Sequence, residues 1–451
     1  MKDLNNIQNI YFVGIGGIGM SALARYFNLL EKNVSGYDKT SSALTQAMSK
    51  EGIEITFLDE VSEIPTVFQN IEDSLIVYTP AIPKSNQILS YFFTNNYQVV
   101  KRANLLGEIS KNSKCLAVAG THGKTTTSAI LGHLLMACDM PMTAFFGGIA
   151  ENYKTNFISN GFEIMVVEAD EFDRSFLALH PDIACITSMD ADHLDIYGSS
   201  SSLEDAFKSF SKLLPNEKCL LFKKGLPLEG QTVAIEEEAD FEAQNVRIED
   251  GNYLFDLKTP NEIIKNLVFN LPGNHNLHNA VTALGMAILS GVPTHGLPEA
   301  LQTFKGVERR FSYKIKRADL VLIDDYAHHP KEIDALFQAV HVMYPNDKKL
   351  IVFQPHLFSR TKDFGESFAN SLSKFDEVIL LDVYPAREEP IDGITSQWLL
   401  DQISIEVKHL VSKTELPFVV KQSKCRIKLI VGAGDIGAEV HRITKILSDE
   451  S

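Results

Sequence analysis

Cysteine is scarce in this chain of 451 residues, and the five cysteines that occur are widely scattered. No two of them form a CxxC pair, so we expect buried thiols rather than disulfides or a zinc site. No uninterrupted apolar run approaches the length that spans a bilayer. The first residues hold no apolar stretch of signal-peptide form. The sequence therefore predicts a cytoplasmic protein that does not enter the membrane.

Positive charge is also in short supply. Lys and Arg together number 42 against 58 Asp and Glu, which gives a formal net charge of −16. That balance argues against a broad nucleic-acid footprint and against binding to anionic membranes. Anionic small molecules remain possible ligands, because a few cations and backbone amides can hold them.

Short β-rich runs alternate with helical patterns along the whole chain. This alternation is typical of parallel sheets covered by helices, and the length suggests more than one core. We predict three α/β domains at 1–110, 111–305 and 306–451, the outer two Rossmann-like and the central one built around a phosphate loop. The predicted strands are Ile10–Val13, Val34–Tyr37, Ser74–Tyr78, Cys115–Ala119, Ile164–Glu168, Ile183–Thr187, Leu320–Ile323, Leu350–Gln354, Val378–Asp382 and Lys428–Val431. The predicted helices include Met20–Leu30, Thr125–Ala137, Asn276–Leu289 and Lys331–Val340.

A glycine-rich turn with Lys-Thr-Thr-Thr follows the predicted strand Cys115–Ala119. Backbone N–H groups at such a helix start face an anion, and glycines let them approach it closely. Lys124 would neutralise the β- and γ-phosphates, and the Thr125 hydroxyl would ligate Mg²⁺. Val118 stands where the strict GxxxxGK[ST] pattern has its first glycine. An ordinary glycine turn is the alternative, but packing explains the Lys-Thr run poorly.

Acidic residues cluster after the strand that ends at Glu168, namely Asp170, Glu171 and Asp173. His193 follows the next predicted strand. Carboxyl ends of parallel strands meet at one sheet edge, so Glu168 and His193 could hold a divalent ion against the phosphates. The alternative is a solvated acidic loop with a surface histidine.

A second glycine pattern, GxGxxG, follows the first strand and spans Gly14 to Gly19. Asp38 comes after the next strand, where such folds contact a ribose. Taken alone, the pattern indicates NAD or FAD; together with the phosphate loop, it indicates a nucleotide diphosphate in the N-terminal domain. A further match at Gly432–Gly437 is interpreted as a tight strand-to-helix turn rather than a cofactor site.

Several segments resemble the Mur ligases, the family that builds the peptide stem of peptidoglycan. They are AGTHGKTTT, VVEADEFDRSF, GNHNLHNA, GVERRFS and LIDDYAHHP, and the resemblance covers essentially the whole chain. It implies an ATP-dependent ligase in peptidoglycan precursor synthesis, with a UDP-binding N-terminal domain, an ATP-binding central domain and an amino-acid-binding C-terminal domain. It further implies UDP-N-acetylmuramate, L-alanine and ATP as substrates, with two Mg²⁺ ions. We expect a monomer or weak homodimer without nucleic-acid partners.

The resemblance also assigns roles to individual residues. For ATP it implies contacts from Gly120, Thr121, His122, Gly123, Lys124, Thr125, Thr126, His275, Asn276, Asn279, Arg310 and Asp324. For the metal it implies Thr125, Glu168 and His193, and the catalytic set is Lys124, Glu168, His193 and Arg310. For the UDP-sugar it implies Gly14, Gly16, Gly17, Ile18, Asp38, Thr79 and Arg102. For the amino acid it implies Tyr326, His328, His356 and Arg360. The family motif often reads HRxxRT, but Leu357 replaces its first arginine, which leaves Arg360 to hold the carboxylate.

Three alternative functions differ in what they require. A ligase that joins a recovered tripeptide to the same UDP-sugar shares most of these motifs. An NAD-dependent oxidoreductase would use the N-terminal glycine loop and leave Lys124, Glu168 and His193 without a task. A nucleotide switch or motor would hydrolyse ATP without needing a UDP-sugar.

Overall fold

A computed structural model describes residues 4–190, 197, 199–249, 252–386 and 388–448. Three β-sheets, of 5, 10 and 6 strands, organise these residues, and helices pack against them. The α/β class that the alternating pattern predicts is confirmed. No helix among the described residues has both the length and the apolar composition to cross a membrane.

The first sheet is parallel and has the order β3-β2-β1-β4-β5. Its strands are β1 Asn9–Val13, β2 Asn33–Tyr37, β3 Glu54–Thr56, β4 Ser74–Tyr78 and β5 Gln98–Lys101, and its helices are Ile18–Leu29, Ala43–Lys50, Gln87–Thr94 and Arg102–Ser110. β1 is buried along its whole length, as a central strand covered on both faces must be. The strand order reverses between β1 and β4, and the crevice outside their carboxyl ends is where such sheets bind ligands.

The second sheet is centred on β6 and has the order β15-β14-β13-β12-β11-β10-β6-β9-β7-β8. Its strands are β6 Lys114–Ala119, β7 Met142–Ala150, β8 Thr155–Ser159, β9 Ile164–Glu168, β10 Ile183–Ile186, β11 Leu220–Lys223, β12 Gln231–Ile235, β13 Phe241–Glu249, β14 Asn252–Lys258 and β15 Ile263–Phe269. The helices of this region are Lys124–Ala137, Ser200–Ser211, Asn274–Ser290 and Leu297–Gln302. β9 and β10 flank β6 and run parallel to it, so the segments after these three strands meet at one edge.

The third sheet has the order β16-β17-β21-β18-β19-β20, and only its edge strand β16 runs antiparallel. Its strands are β16 Ser312–Lys316, β17 Val321–Asp325, β18 Lys349–Phe353, β19 Glu377–Leu380, β20 Lys408–Leu410 and β21 Ile427–Val431. Its helices are Pro330–Met343, Phe358–Asp363, Gly365–Leu372, Ser396–Gln402, Leu416–Gln422 and Ile436–Ser448. The carboxyl ends of β17, β21 and β18 lie side by side.

The chain folds into two compact units. The first comprises 1–246, 254–268 and 278–304, and the second comprises 247–253, 269–277 and 305–451. The first two sheets share one unit because a single apolar cluster, which includes Phe27, Phe145 and Phe176, continues from one to the other. The three domain boundaries therefore stay predictions, although each predicted domain has a sheet of its own.

Most predicted elements lie where the sequence places them, with ends that differ by a few residues. β4 and β9 match the predicted bounds, and the helix predicted at Met20–Leu30 runs over Ile18–Leu29. All five cysteines are free thiols, of which Cys115, Cys185 and Cys425 are buried. The hairpin of β7 and β8 is absent from the prediction, because its glycines and turn residues mask the strand pattern.

Candidate functional site

The turn after β6 has a backbone that only glycine adopts without strain at two positions. Gly120 has φ +131° and Gly123 has φ +86°. A Cβ at Gly120 would overlap Thr187 Oγ1, and a Cβ at Gly123 would lie 2.5 Å from Asn279 Oδ1. The turn leads directly into the helix Lys124–Ala137, whose N-terminus has no side-chain cap and offers its first N–H groups to an anion. This geometry fits a phosphate cradle, although Val118 departs from the strict motif.

Thr187 and Ser188, which follow β10, form one wall of this loop. The Thr187 hydroxyl donates to the Ala119 carbonyl at 3.1 Å, and the Ser188 hydroxyl accepts from the His122 N–H at 2.8 Å. The Thr121 and Ser188 hydroxyls lie 2.9 Å apart. Sequence reasoning did not assign these two residues to the loop, although the position of β10 beside β6 is the signal that could have found them.

Lys124 is held at the loop by a fully buried carboxylate. Its Nζ donates to the two carboxylate oxygens of Glu171 at 2.7 and 2.9 Å and to the Gly120 carbonyl at 2.7 Å. The exposed fraction of the Lys124 side chain is 13%, and that of Glu171 is 0%. Glu171 is therefore part of the loop's charge arrangement, a role that the acidic run alone did not single out.

Two oxygen groups of the kind that binds divalent ions meet beside the loop. The Thr125 hydroxyl donates to the Glu168 carboxylate at 3.0 and 3.1 Å, and the Gly147 N–H donates to the same carboxylate at 3.0 Å. Hydroxyl and carboxylate oxygens are the hard donors that Mg²⁺ prefers, so this pair fits that ion. Within the described ranges no cluster of three His, Cys, Asp or Glu has a metal-binding arrangement. The predicted ligand His193 lies outside the described residues.

The two asparagines predicted near ATP have different contacts. Asn279 lies against Gly123 of the phosphate loop, within the first unit, so closely that its amide leaves no room for a Cβ at that glycine. Asn276 belongs to the second unit and donates its amide to the Pro272 carbonyl at 2.7 Å. Their helix begins at Asn274, so neither Asn276 nor Asn279 is the N-cap residue of that helix.

The N-terminal glycine loop occupies the crevice at the carboxyl ends of β1 and β4. Gly14 has φ +90°, and a Cβ there would lie 3.0 Å from Thr79 Cγ2. The Gly16 N–H donates to the Asp38 carboxylate at 2.8 Å. Arg102 covers Gly19, where an added Cβ would lie 2.6 Å from its Nη1. The residues predicted to hold the UDP-sugar thus converge on one loop.

The acidic loop after β9 connects this glycine loop with the phosphate loop. Arg102 Nη2 lies 3.9 Å from the Asp170 carboxylate, and Lys101 Nζ lies 3.6 Å from that of Asp173. Asp173 and Arg174 have φ of 52° and 54°, a conformation that costs non-glycine residues energy. The acidic loop therefore contacts Arg102 of the predicted UDP-sugar site and Lys124 of the predicted ATP site.

In the second unit, two carboxyl groups end β17, of which Asp324 is buried and Asp325 is partly buried. Asp325 accepts hydrogen bonds from the N–H groups of Phe311 and Ala327 at 2.7 and 2.8 Å. Burial raises the pKa of Asp324 to about 7, although Arg309 at 3.9 Å opposes the shift. Burial also raises the pKa of Asp325 to about 6. The sequence motifs assigned a nucleotide contact to Asp324 and no role to Asp325. The hydrogen bonds of Asp325 hold the backbone at Phe311 and at Ala327.

Arg309 and Arg310 lie over the ring of Tyr326, at 4.9 and 5.2 Å from its centre. The His275 residue is exposed, and desolvation by its surroundings, together with the nearby Arg310 charge, lowers its pKa. His275 and Tyr326 are thus both neighbours of Arg310 in the second unit; their roles stay predictions. Arg309 additionally donates to the Gly432 carbonyl and fills the strand-to-helix turn before Ile436.

The histidines predicted near the amino acid lie together with an aromatic partner. The rings of His328 and His356 are 6.1 Å apart, and His356 stacks on Tyr384 at 5.6 Å. Arg360 Nη1 approaches His356 Nδ1 at 3.4 Å. Burial lowers the pKa of His328, which keeps its imidazole neutral at pH 7. Leu357 has φ 71° and lies where the chain turns between His356 and Arg360.

The phosphate loop, its lysine and the adjacent Thr-Glu pair define a nucleoside-triphosphate-binding α/β protein. Family models match three successive stretches: the Mur ligase family catalytic domain over residues 9–114, the Mur ligase middle domain over 118–287 and the Mur ligase glutamate ligase domain over 309–432. The chain belongs to the Mur ligase family. It is accordingly an ATP-dependent ligase, and neither the oxidoreductase nor the nucleotide-switch alternative is retained.

The chain is similar to three individual proteins of known name. A UDP-N-acetylmuramate–L-alanine ligase of Christiangramia forsetii is 58% identical over 452 residues, which cover 100% of both chains. The structure of a UDP-N-acetylmuramate-alanine ligase from Thermotoga maritima is 27% identical with a TM-score of 0.84, over 98% of this chain and 100% of that one. The structure of a murein peptide ligase from Psychrobacter arcticus is 19% identical in sequence with a TM-score of 0.67, over 98% of this chain and 99% of that one, and it shares the fold.

Proposed function

We propose that the chain joins L-alanine to the muramic-acid carboxylate of UDP-N-acetylmuramate, with ATP as the phosphoryl donor. The observation that carries this proposal is the first unit's arrangement of Lys124 and Thr125 beside Glu168, with the N-terminal glycine loop connected through Asp170. It brings the groups suited to a triphosphate near those suited to a nucleotide diphosphate. The identity of 58% to an alanine-adding ligase supports the choice of amino acid.

The first step transfers the γ-phosphoryl group from ATP to an oxygen of the sugar's carboxylate, and ADP leaves. Lys124 at the loop would offset the charge that develops on the phosphoryl oxygens. The family resemblance assigns a further part of this task to Arg310. The loop's backbone N–H groups hold the remaining phosphates. No side chain has to form a covalent intermediate.

In the second step, the neutral amine of L-alanine attacks the acyl phosphate carbon. The ammonium group of L-alanine loses one proton to solvent before this attack. The C–O bond to phosphate then breaks, inorganic phosphate leaves, and the nitrogen loses a second proton to solvent. Arg360 would hold the alanine carboxylate, with Tyr326, His328 and His356 around it. His328 suits such a site because burial lowers its pKa and keeps it from adding a charge that would repel the incoming ammonium form.

Mg²⁺ belongs to the proposal through the oxygen pair of Thr125 and Glu168. When bound, the ion would neutralise charge on the phosphate oxygens. The resemblance predicts a second ion with His193 as a ligand. The Gly147 N–H fixes the Glu168 carboxylate at 3.0 Å, so one ligand is already oriented for an ion.

The test is ADP release in mixtures that lack one component at a time. With ATP, Mg²⁺, UDP-N-acetylmuramate and L-alanine, we expect ADP release that falls to background when either the UDP-sugar or the amino acid is left out. A parallel series replaces L-alanine by the tripeptide L-alanyl-γ-D-glutamyl-diaminopimelate. Release with the tripeptide but not with L-alanine would replace this proposal by the peptide-joining alternative.

A further inference from the structure

The Lys124 ammonium has a defined position at the phosphate loop. An ammonium has three N–H donors, and here they point to the Gly120 carbonyl and the two Glu171 oxygens at 2.7 to 2.9 Å. A lysine with four rotatable bonds would otherwise sample many rotamers. Glu171 therefore selects the one that keeps the ammonium at the mouth of the phosphate loop.

Glu171 itself is firmly fixed. Its side chain is fully buried, and its backbone carbonyl accepts a hydrogen bond from the Tyr197 hydroxyl at 2.6 Å. Two residues away, Asp173 lies in the left-handed region with φ 52°, which the surrounding contacts must impose. A buried carboxylate that lost its cation would be strongly destabilised, so the pair persists when phosphates arrive. The Gly120 carbonyl is the partner that Lys124 can exchange for a phosphate oxygen.

We propose that Glu171 is a positioning residue that aims the Lys124 ammonium at the transferring phosphoryl group. It acts through Lys124 and does not touch the substrates. The inference rests on the proposed function for the identity of the reaction, but not for the position of the lysine. Its consequence is that removing the Glu171 charge affects phosphoryl transfer more than it affects substrate binding.

The first test measures the position of Lys124 without using activity. The full chain, free of nucleotide, is treated with acetic anhydride, and acetylation of Lys124 is followed by peptide mass spectrometry. We expect Glu171→Gln to raise the labelling rate of Lys124 about tenfold, since a freed side chain reaches solvent. Glu108→Gln is the matched control, because Glu108 pairs with Lys111 at the same 2.7 Å but on the surface. An unchanged Lys124 rate in Glu171→Gln would overturn the proposal.

The second test separates binding from turnover. In the ADP-release assay we expect Glu171→Gln to lower kcat by about tenfold or more, because misplacing a catalytic group is costly. The KM for the UDP-sugar should change less than about threefold. Glu171→Asp keeps the charge and should recover part of the loss. A kcat of Glu171→Gln within about twofold of the unsubstituted chain would contradict the proposal.

The third test asks whether Glu171 acts through Lys124. ADP affinity is measured by calorimetry for Glu171→Gln, Lys124→Met and the double variant. We expect Glu171→Gln to weaken ADP binding only while Lys124 is present, a non-additive result. If Glu171→Gln weakened ADP binding equally with Lys124 present and with Lys124→Met, Glu171 would have a structural role only. If Glu171→Gln tightened ADP binding, Glu171 would repel the nucleotide. Either result would overturn the proposal. These labelling and binding results stand whether or not L-alanine proves to be the amino acid.

Discussion

At the scale of single residues, Lys124 has the clearest task. Truncation to alanine removes the cation proposed to meet the phosphates and leaves buried Glu171 without that partner. We expect Lys124→Ala to lower substrate-dependent ADP release by at least about a hundredfold. Binding of UDP-N-acetylmuramate, measured by calorimetry, should stay nearly unchanged because the N-terminal glycine loop is untouched. Retention of more than about a tenth of the activity would remove Lys124 from the phosphate site.

Asp324 makes a prediction about pH. Its ordinary pKa is 3.8, and burial raises the pKa in the folded state to about 7. Between these values the unfolded chain loses the proton while the folded chain keeps it, so the free energy of unfolding falls as pH rises. The upper limit of that loss is about 4 kcal/mol for a shift of this size.

Substitution of Asp324 by asparagine removes this dependence. Urea unfolding of Asp324→Asn should show a smaller decrease in stability from pH 4 to pH 7 than the unsubstituted chain shows. Above about pH 8, where Asp324 is ionised in both the folded and the unfolded chain, the difference between the two chains should stay constant. Parallel profiles from pH 4 to pH 7 would mean that Asp324 is not held in its protonated form by burial.

Sequence motifs predicted residues whose type suits the proposed chemistry, such as Lys124, Glu168 and Arg360. They missed residues that matter through position alone. Thr187 and Ser188 reach the phosphate loop because β10 lies beside β6 in the sheet. Tyr384 reaches His356 from the segment after β19. Such contacts depend on strand order, which local spacing does not encode.

At the scale of elements, the phosphate loop depends on its glycines. Gly123 has φ +86°, and a Cβ there would lie 2.5 Å from Asn279 Oδ1. We therefore expect Gly123→Ala to weaken ATP binding by about tenfold or more, since both strain and overlap act on the loop. The control is Gly225→Ala, at φ +94° with no atom within 4 Å of the added Cβ. Similar ATP affinity in the two variants would contradict this role of the loop.

The acidic loop after β9 makes a second prediction at this scale. The Asp170 carboxylate lies 3.9 Å from Arg102 and would compete with a diphosphate for that guanidinium. Because the pair is partly exposed and such pairs are weak, Asp170→Asn should tighten UDP-N-acetylmuramate binding by no more than about fivefold. The gain should vanish in an Arg102→Gln background. Weaker binding in Asp170→Asn would show that Asp170 supports the site instead of competing for it.

Helices and strands with a strong hydrophobic pattern and clear end signals were predictable from the sequence, as β4 and β9 show. Short or irregular ones were not. The segment Phe172–Ala178 is a 3₁₀ stretch with left-handed residues at Asp173 and Arg174, where the sequence shows only an acidic run. The segment packs against the helices Arg102–Ser110 and Ser200–Ser211, with Phe176 stacked on Phe210, so tertiary structure decides its shape.

At the scale of the whole molecule, three sheets agree with the three predicted domains, while the chain folds into two compact units. The difference arises because the apolar cluster that includes Phe27 and Phe145 continues between the first two sheets. A sequence reveals strands and helices domain by domain but not how much apolar surface two domains share. The reaction, in contrast, was accessible from motifs spread over all three regions.

The most direct measurement is mass spectrometry of the products made from UDP-N-acetylmuramate that carries ¹⁸O at both oxygens of its carboxylate. With ATP and L-alanine, we expect one UDP-sugar product heavier by an alanine residue, one ADP for each product, and one ¹⁸O in the released phosphate. Transfer of the label is required if the carboxylate attacks the γ-phosphoryl group before the amine arrives. Unlabelled phosphate, or ADP without an alanine-bearing product, would contradict the proposed ligation through an acyl phosphate.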